Sequence, residues 1–249
     1  MVDVGKFINF KGTITLRKVD NHDHPLAGAI FEIWNLSGKK AKLVSGYGDV
    51  VSSANGVVAV TGLAPGKYQL REVKAPQDFI INTSPINFKI VSKSIHQPTI
   101  KLGNFINTKG SVTMKKVSEN GKPLSGAEFQ LRREPKRGNM VVKDYEKVIS
   151  LKNGKISASN LPPGDYAWIE IKAPKGYQLN KDPIYFTIPK ATKNYQSLKI
   201  KDFVNKKIAT PNKILPRTGE GKSANILKIS GGLIITFLIV IIFRKYKKA

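Results

Sequence analysis

The feature that most constrains this chain is an internal repeat at a fixed offset of 98 residues. GTITLRKVD (12–20) returns as GSVTMKKVS (110–118), and PLAGAIFEI (25–33) as PLSGAEFQL (123–131). LAPGKYQLREVKAP (63–76) returns as LPPGDYAWIEIKAP (161–174), PINFKI (85–90) as PIYFTI (183–188), and FIN (105–107) as FVN (203–205). One offset serves every pair, so the units align without net insertion and each reads as one structural repeat. Phe7-Ile8-Asn9 lies the same distance before 105–107. Residues 1–10 therefore read as the closing strand of a further repeat upstream. Met1 to Phe10 lacks the basic start and apolar core of an export signal, so that signal is expected on sequence upstream of Met1. Segments 37–54 and 135–152 match worst and read as variable loops or edge strands.

Each repeat reads as all-β. Short segments rich in Val, Ile, Thr, Tyr and Phe alternate with Gly, Pro and Asn turns, and no long 3.6-residue period appears before residue 226. Asn55-Gly56 and Asn153-Gly154 are hairpin-turn signals; Pro65-Gly66 and Pro163-Gly164 mark another turn. A β-sandwich per repeat is the natural solution. The chain has 249 residues, enough for two such domains and a tail, and no cysteine, so disulfides do not hold them.

Side chains alternate across a strand, which exposes an anomaly. Ile14, Leu16 and Lys18 share a face, as do Val112, Met114 and Lys116. Tyr68, Leu70 and Glu72 share another, as do Tyr166, Trp168 and Glu170. Phe105 and Asn107 share a third, as do Phe203 and Asn205. Each repeat thus aims a Lys, a Glu and an Asn into its core from three strands. Unpaired, they would be costly to bury. Together they form either a buried hydrogen-bonded cluster or a reactive one. Burial lowers a lysine pKa and raises a glutamate pKa. A neutral amine can then attack the Asn side-chain carbonyl while the protonated Glu moves protons, leaving a Lys–Asn isopeptide bond and ammonia. Asn104 and Lys115 lie nearby but are replaced in the other repeat by Asp202 and Arg17; a guanidinium cannot serve as this nucleophile.

These residues carry a resemblance. The K-V-[DS] lysine, the P-L-x-G-A-x-F motif, the Y-x-x-x-E-x-x-A-P box and the closing x-[IV]-N strand are similar to those of CnaB-type (SpaA-type, prealbumin-like) domains. Such domains build Gram-positive pilins and collagen-adhesin stalks. The resemblance implies tandem domains over 11–108 and 109–207, with Lys18 joined to Asn107 and Lys116 to Asn205. Glu72 and Glu170 would assist. Asp78-Phe79 replaces the usual Gly-Tyr after the first glutamate box, and Ser118 replaces the usual Asp after the second lysine.

The tail ILPRTGEGKSANILKISGGLIITFLIVIIFRKYKKA has three parts. Residues 226–243 are apolar enough for a helix of roughly 27 Å, close to a bilayer core. The basic tail 244–249 would stay in the cytoplasm. Within the linker 208–225, Leu215-Pro216-Arg217-Thr218-Gly219 resembles the LPxTG motif read by sortases. The resemblance implies cleavage after Thr218 and transfer of its carbonyl to peptidoglycan or a pilin lysine. The protein would span the membrane only before sorting.

The net charge of +25 raises nucleic acid as a partner, but lysine is spread along the chain, which suits a protein among anionic wall polymers. Asp20, His22 and His24 could hold a metal, yet they lie where the second repeat has Ser118, Asn120 and Lys122, and read as a solvated turn. Trp34 falls on the outward phase of its strand; Trp168 faces inward beside Glu170. Pro189-Lys190 resembles the end of the pilin motif whose lysine accepts a sortase linkage, without the residues that should precede it. No hydrolase triad or phosphate loop is present. The expectation is a non-enzymatic stalk segment of a wall-anchored adhesin or pilus protein, with no cofactor, no metal and no nucleic acid. Its partners would be sortase and peptidoglycan, with other pilins or host matrix as further candidates. The alternatives are a module that binds host matrix or anionic glycans itself, and a pilin polymerised by sortase.

Overall fold

A computed structural model describes residues 10–92 and 99–209. The expected upstream strand at Phe7-Ile8-Asn9, the motif Leu215–Gly219, the apolar span 226–243 and the basic tail 244–249 lie outside the described residues. The described residues fall in one compact unit. No helix among the described residues is long and apolar enough to cross a membrane.

The first repeat contains β1 (Gly12–Val19), β2 (Ile30–Asn35), β3 (Lys42–Leu43), β4 (Val50–Val51), β5 (Val57–Leu63), β6 (Gly66–Lys74), β7 (Ile81–Asn82), β8 (Ile86–Ile90) and β9 (Ile100–Ile106). The second contains β10 (Gly110–Ser118), β11 (Glu128–Arg133), β12 (Met140–Val141), β13 (Val148–Ile149), β14 (Lys155–Leu161), β15 (Gly164–Lys172), β16 (Ile184–Ile188), β17 (Ala191–Thr192), β18 (Leu198–Lys199) and β19 (Phe203–Asn205).

In the first repeat one sheet has the order β5-β1-β9 and the other β3-β2-β6-β8, with β4 also on β2. The second repeat repeats this as β14-β10-β18, with β19 also on β10, and β12-β11-β15-β16, with β13 on β11. Residues 37–54 and 135–152 do supply short edge pieces, β3, β4, β12 and β13. The all-β tandem fold expected from alternation is what forms.

The alternation fixes the cores. Ile14, Leu16, Phe31, Ile33, Val58, Val60, Leu70 and Phe105 pack from both sheets into one apolar cluster. Val112, Met114, Phe129, Leu131, Ile156, Trp168 and Phe203 do the same in the second repeat. Burying such side chains is worth about 1.5–3 kcal/mol each. Trp168 is fully buried, edge-on to Phe129 and Tyr145. Trp34 stays half-buried on the outer face, covered by the Arg71 guanidinium 4.4 Å from its ring and bonded through Nε1 to Glu32.

One local expectation changes. The Asn-Gly turns do not close hairpins. β4 pairs with β2 and β5 with β1, so the turn at Gly56 carries the chain from one sheet to the other. The backbone nitrogen of Lys18 donates to the Gly56 carbonyl at 2.6 Å, and a β-carbon at Gly56 would run into the Lys18 carbonyl oxygen. Gly154 stands in the same relation to Lys116. The glycines therefore let the turn close over the strand that carries each lysine. Asp78 adopts φ 68° where the second repeat has Gly176 at φ 85°, so the first departure from the family pattern keeps the left-handed turn with a residue that bears it less well.

Candidate functional site

Parallel pairing of the first and last strands builds the site. Lys18 is the register partner of Phe105, and Lys116 of Phe203. Asn107 lies two residues beyond Phe105 on the same face, its backbone nitrogen donating to Val19 O at 3.1 Å. Glu72 enters from the opposite sheet through β6, as Glu170 does through β15. All six side chains are buried: Lys18 and Lys116 at 0% exposure, Asn107 and Asn205 at 1%, Glu170 at 3% and Glu72 at 6%. The decoys Asn104 and Lys115 are exposed.

In the first cluster Asn107 Nδ2 donates to Glu72 Oε2 at 2.8 Å and to the Ile80 carbonyl at 2.6 Å. Lys18 Nζ donates to the carbonyls of Phe105, at 3.1 Å, and Val19, at 3.3 Å, and sits 5.6 Å from the Phe105 ring centre. In the second, Asn205 Nδ2 donates to Glu170 Oε2 at 2.8 Å and to the Gln178 carbonyl at 2.7 Å. Lys116 Nζ donates to Phe203 O at 3.0 Å and Val117 O at 3.3 Å, with Glu170 Oε1 4.0 Å away. Asn205 also reaches Glu170 Oε1 at 3.0 Å.

Burial governs the electrostatics. It brings Lys18 and Lys116 down to about 8, against the opposing pull of Glu72 and Asp20 on the first and Glu170 on the second. It also pushes both carboxyls up, despite Asn107 and the Asn82 nitrogen bonding Glu72, and the Asn180 nitrogen and Asn205 bonding Glu170. Both shifts favour the uncharged pair. Glu72 Oε1, Asn107 Oδ1 and Asn205 Oδ1 are buried without a hydrogen-bond partner. A protonated carboxyl has the donor that an amide oxygen needs; a carboxylate does not.

The strand pattern alone does not reveal two further recurring pairs, of which the first bonds the two glutamates. Asn82 donates its backbone nitrogen to Glu72 Oε2 at 2.7 Å and its amide to Ile106 O at 3.1 Å. Asn180 does the same to Glu170, at 2.9 Å, and to Val204, at 3.0 Å. Ser52 bridges Ala29 N and Leu26 O; Ser150 receives Ala127 N. Identity across the 98-residue offset was the signal available for both pairs.

The Asp20 turn adjoins the first cluster, its carboxylate opposing the lowering of Lys18. Its Oδ1 accepts the backbone nitrogens of His22, at 2.8 Å, and His24, at 2.9 Å, and Oδ2 meets His24 Nδ1 at 3.0 Å and His22 Nδ1 at 4.0 Å. Both imidazoles are largely exposed, and the carboxylate organises the turn's own backbone.

Comparison with known proteins gives two curated relatives. The chain is 32% identical over 113 residues to a collagen adhesin of Staphylococcus aureus, covering 44% of this chain and 9% of that protein. It is 37% identical over 71 residues to the trypsin-resistant surface T6 protein of Streptococcus pyogenes serotype M6, covering 28% of this chain and 12% of that protein. The chain thus spans about a tenth of the length of these relatives. Among solved structures, the Bacillus anthracis TIE protein aligns over 80% of this chain and 34% of its own, at 25% identity and a TM-score of 0.46. The profile of the SpaA prealbumin-like fold domain matches twice, over residues 12–104 and 110–202, and these two matches span most of the chain. With both units matched and both cores carrying the same three polar residues, the chain belongs to the SpaA prealbumin-like domain family.

Proposed function

We propose that the two domains are covalently self-clasped stalk units of a surface adhesin or pilus protein, in which Lys18 joins Asn107 and Lys116 joins Asn205. The observation that carries this reading is the pair of buried Lys–Glu–Asn clusters, each with a low-pKa amine and a raised carboxyl. The step is an amide exchange. Lys18 Nζ attacks Asn107 Cγ, the Nζ–Cγ bond forms and Cγ–Nδ2 breaks. One proton passes from Nζ by way of Glu72 to Nδ2, which leaves as ammonia. Glu72 holds the amide and moves the proton; the fold supplies proximity. Glu170 does the same for Lys116 and Asn205. Each site turns over once, so the protein is no enzyme in the ordinary sense. No cofactor is needed.

A stalk suits this chemistry. The joined residues lie at the ends of each sandwich, on its first strand and just beyond or at its last. Force entering at one and leaving at the other runs through the new amide and bypasses most of the domain. The relatives are named as a collagen adhesin and a surface protein, which supports the surface reading. Pulling the chain between its ends tests it. The unaltered domains should resist extension between the joined residues, while Asn107→Ala and Asn205→Ala should each release about 300 Å of chain, for roughly 90 residues at 3.3–3.6 Å. Equal extension with and without the asparagines would sink the stalk mechanism.

The same reading places the chain on the wall through Leu215-Pro216-Arg217-Thr218-Gly219, cut after Thr218 by a sortase, with 226–243 holding the precursor in the membrane. Thr218→Ala should then move the protein out of the covalent wall fraction. Undiminished wall attachment of that variant counts against it.

A further inference from the structure

The short strand β7 uses both of its edges. Inward, it completes the first cluster: Ile80 O receives Asn107 Nδ2, and Asn82 N donates to Glu72 Oε2. Outward, it belongs to the second domain. It pairs in parallel with β17, Ile81 opposite Ala191 and Asn82 opposite Thr192. Ile81 N donates to Lys190 O at 2.9 Å, Thr83 N to Thr192 O at 3.0 Å, and Ser84 Oγ to Lys193 O at 3.0 Å. Strand alternation makes this possible, since successive N–H groups point to opposite edges.

Side chains reinforce the junction. Ile80 is 2% exposed and packs within the apolar cluster of the second domain, not the first. Phe79 lies 5.2 Å from Lys109 Nζ. A cleft of about 260 Å³ is bounded by Ile80 and Asn107 on one side and Thr192 and Tyr195 on the other, so Asn107 borders the junction itself.

The second domain lacks this arrangement at its own site. Gln178 and Asn180 make the same inward bonds to Asn205 and Glu170. Yet among the described residues no strand pairs with Leu179–Asn180 from outside, and Leu179 is 43% exposed. The second site is complete within its own domain. The first has its covering segment held by its neighbour.

We propose that the second domain finishes the reaction site of the first: β17 fixes Ile80–Asn82, which positions Asn107 and Glu72, so the Lys18–Asn107 bond forms efficiently only after the second domain has folded and docked. This rests on the self-clasping reading above. The physical reason is proximity. Ile80, unlike Gln178 in the second domain, has its apolar seat in the neighbouring core, so without that core the segment loses its anchor as well as its outer-edge bonds, and a misplacement of about 1 Å can cost some 10²-fold in an intramolecular reaction. Ile80 meets the leaving Asn107 nitrogen through its backbone carbonyl, while its side chain and Ser84 act here as positioning groups.

The test follows each bond separately in the full chain during cell-free synthesis, by time-resolved mass spectrometry of the joined peptides. One variant, I80A/S84A, removes the first covering segment's apolar anchor in the second core and its hydroxyl bond to the Lys193 carbonyl. The other, K190G/A191G/T192G/K193G, leaves that segment untouched and weakens β17. Both should slow Lys18–Asn107 formation at least tenfold and leave Lys116–Asn205 formation at its normal rate. The second bond reports in the same molecules that the second domain is folded. Unaltered Lys18–Asn107 kinetics in both variants overturns the inference. Absence of both bonds from the unaltered chain instead overturns the self-clasping reading, and this inference with it.

Discussion

Glu72→Gln is expected to slow formation of the Lys18–Asn107 bond by about 10²–10⁴-fold, the usual share of a positioned acid–base group. Glutamine keeps the shape of the side chain and can still bond Asn107. It cannot carry the proton from Nζ to the leaving nitrogen. Lys116–Asn205 should form normally in the same molecule, because its cluster lies in a separate core. Glu170→Gln should give the mirror result. The pH dependence follows from the same pair. Burial holds the lysines at about 8 and raises the carboxyls. The reactive state carries one proton, on the carboxyl and not on the amine. Acid adds a second proton and makes the ammonium, which cannot attack. Alkali removes the last proton and leaves a carboxylate, which cannot donate. The rate should therefore be bell-shaped, with its alkaline limb centred near 8. A glutamine variant that reacts at the normal rate, or a rate that climbs steadily past that limb, would exclude glutamate as the proton carrier. Rates can be read by mass spectrometry of freshly synthesised chain.

Asn107→Ala should cost the first domain roughly 4–5 kcal/mol. That figure is the chain entropy recovered when a loop of about 90 residues is opened in the unfolded state. For a domain of this size it corresponds to a fall in Tm of roughly 20–40 °C. One local effect adds to it: Lys18 would remain a buried amine instead of an amide. Asn205→Ala should act likewise on the second domain, through Lys116. Differential scanning calorimetry of the two variants should show the loss in the altered domain. A shift of only a few degrees would mean that no covalent loop had been closed.

Much of the site was legible in the sequence because strand alternation is rigid. Once Ile14 and Leu16 point inward, Lys18 must follow, and the structure buries it completely. The same holds for Glu72 behind Tyr68 and Leu70, and for Asn107 behind Phe105. The repeat then separated Lys18 and Asn107 from exposed neighbours such as Lys115 and Asn104. What alternation could not show lies between regular elements. β7 has two residues, too few for a period, and its partner β17 is far away in sequence and has no periodic signal either. Ser52 and Ser150 sit in the segments that match worst, where two identical residues are easily overlooked. An Asn-Gly turn reads as a hairpin because local turn chemistry is the same whether the next strand returns to its own sheet or crosses to the other. Only the packing of Gly56 and Gly154 against the lysine-bearing strands decides that.

The most direct measurement is the intact mass of the purified chain. Two closed clasps make it lighter than its sequence by two molecules of ammonia, with peptide mapping placing one loss at Lys18–Asn107 and the other at Lys116–Asn205. A mass equal to that of the sequence, with all four residues recovered unjoined, contradicts the covalent stalk.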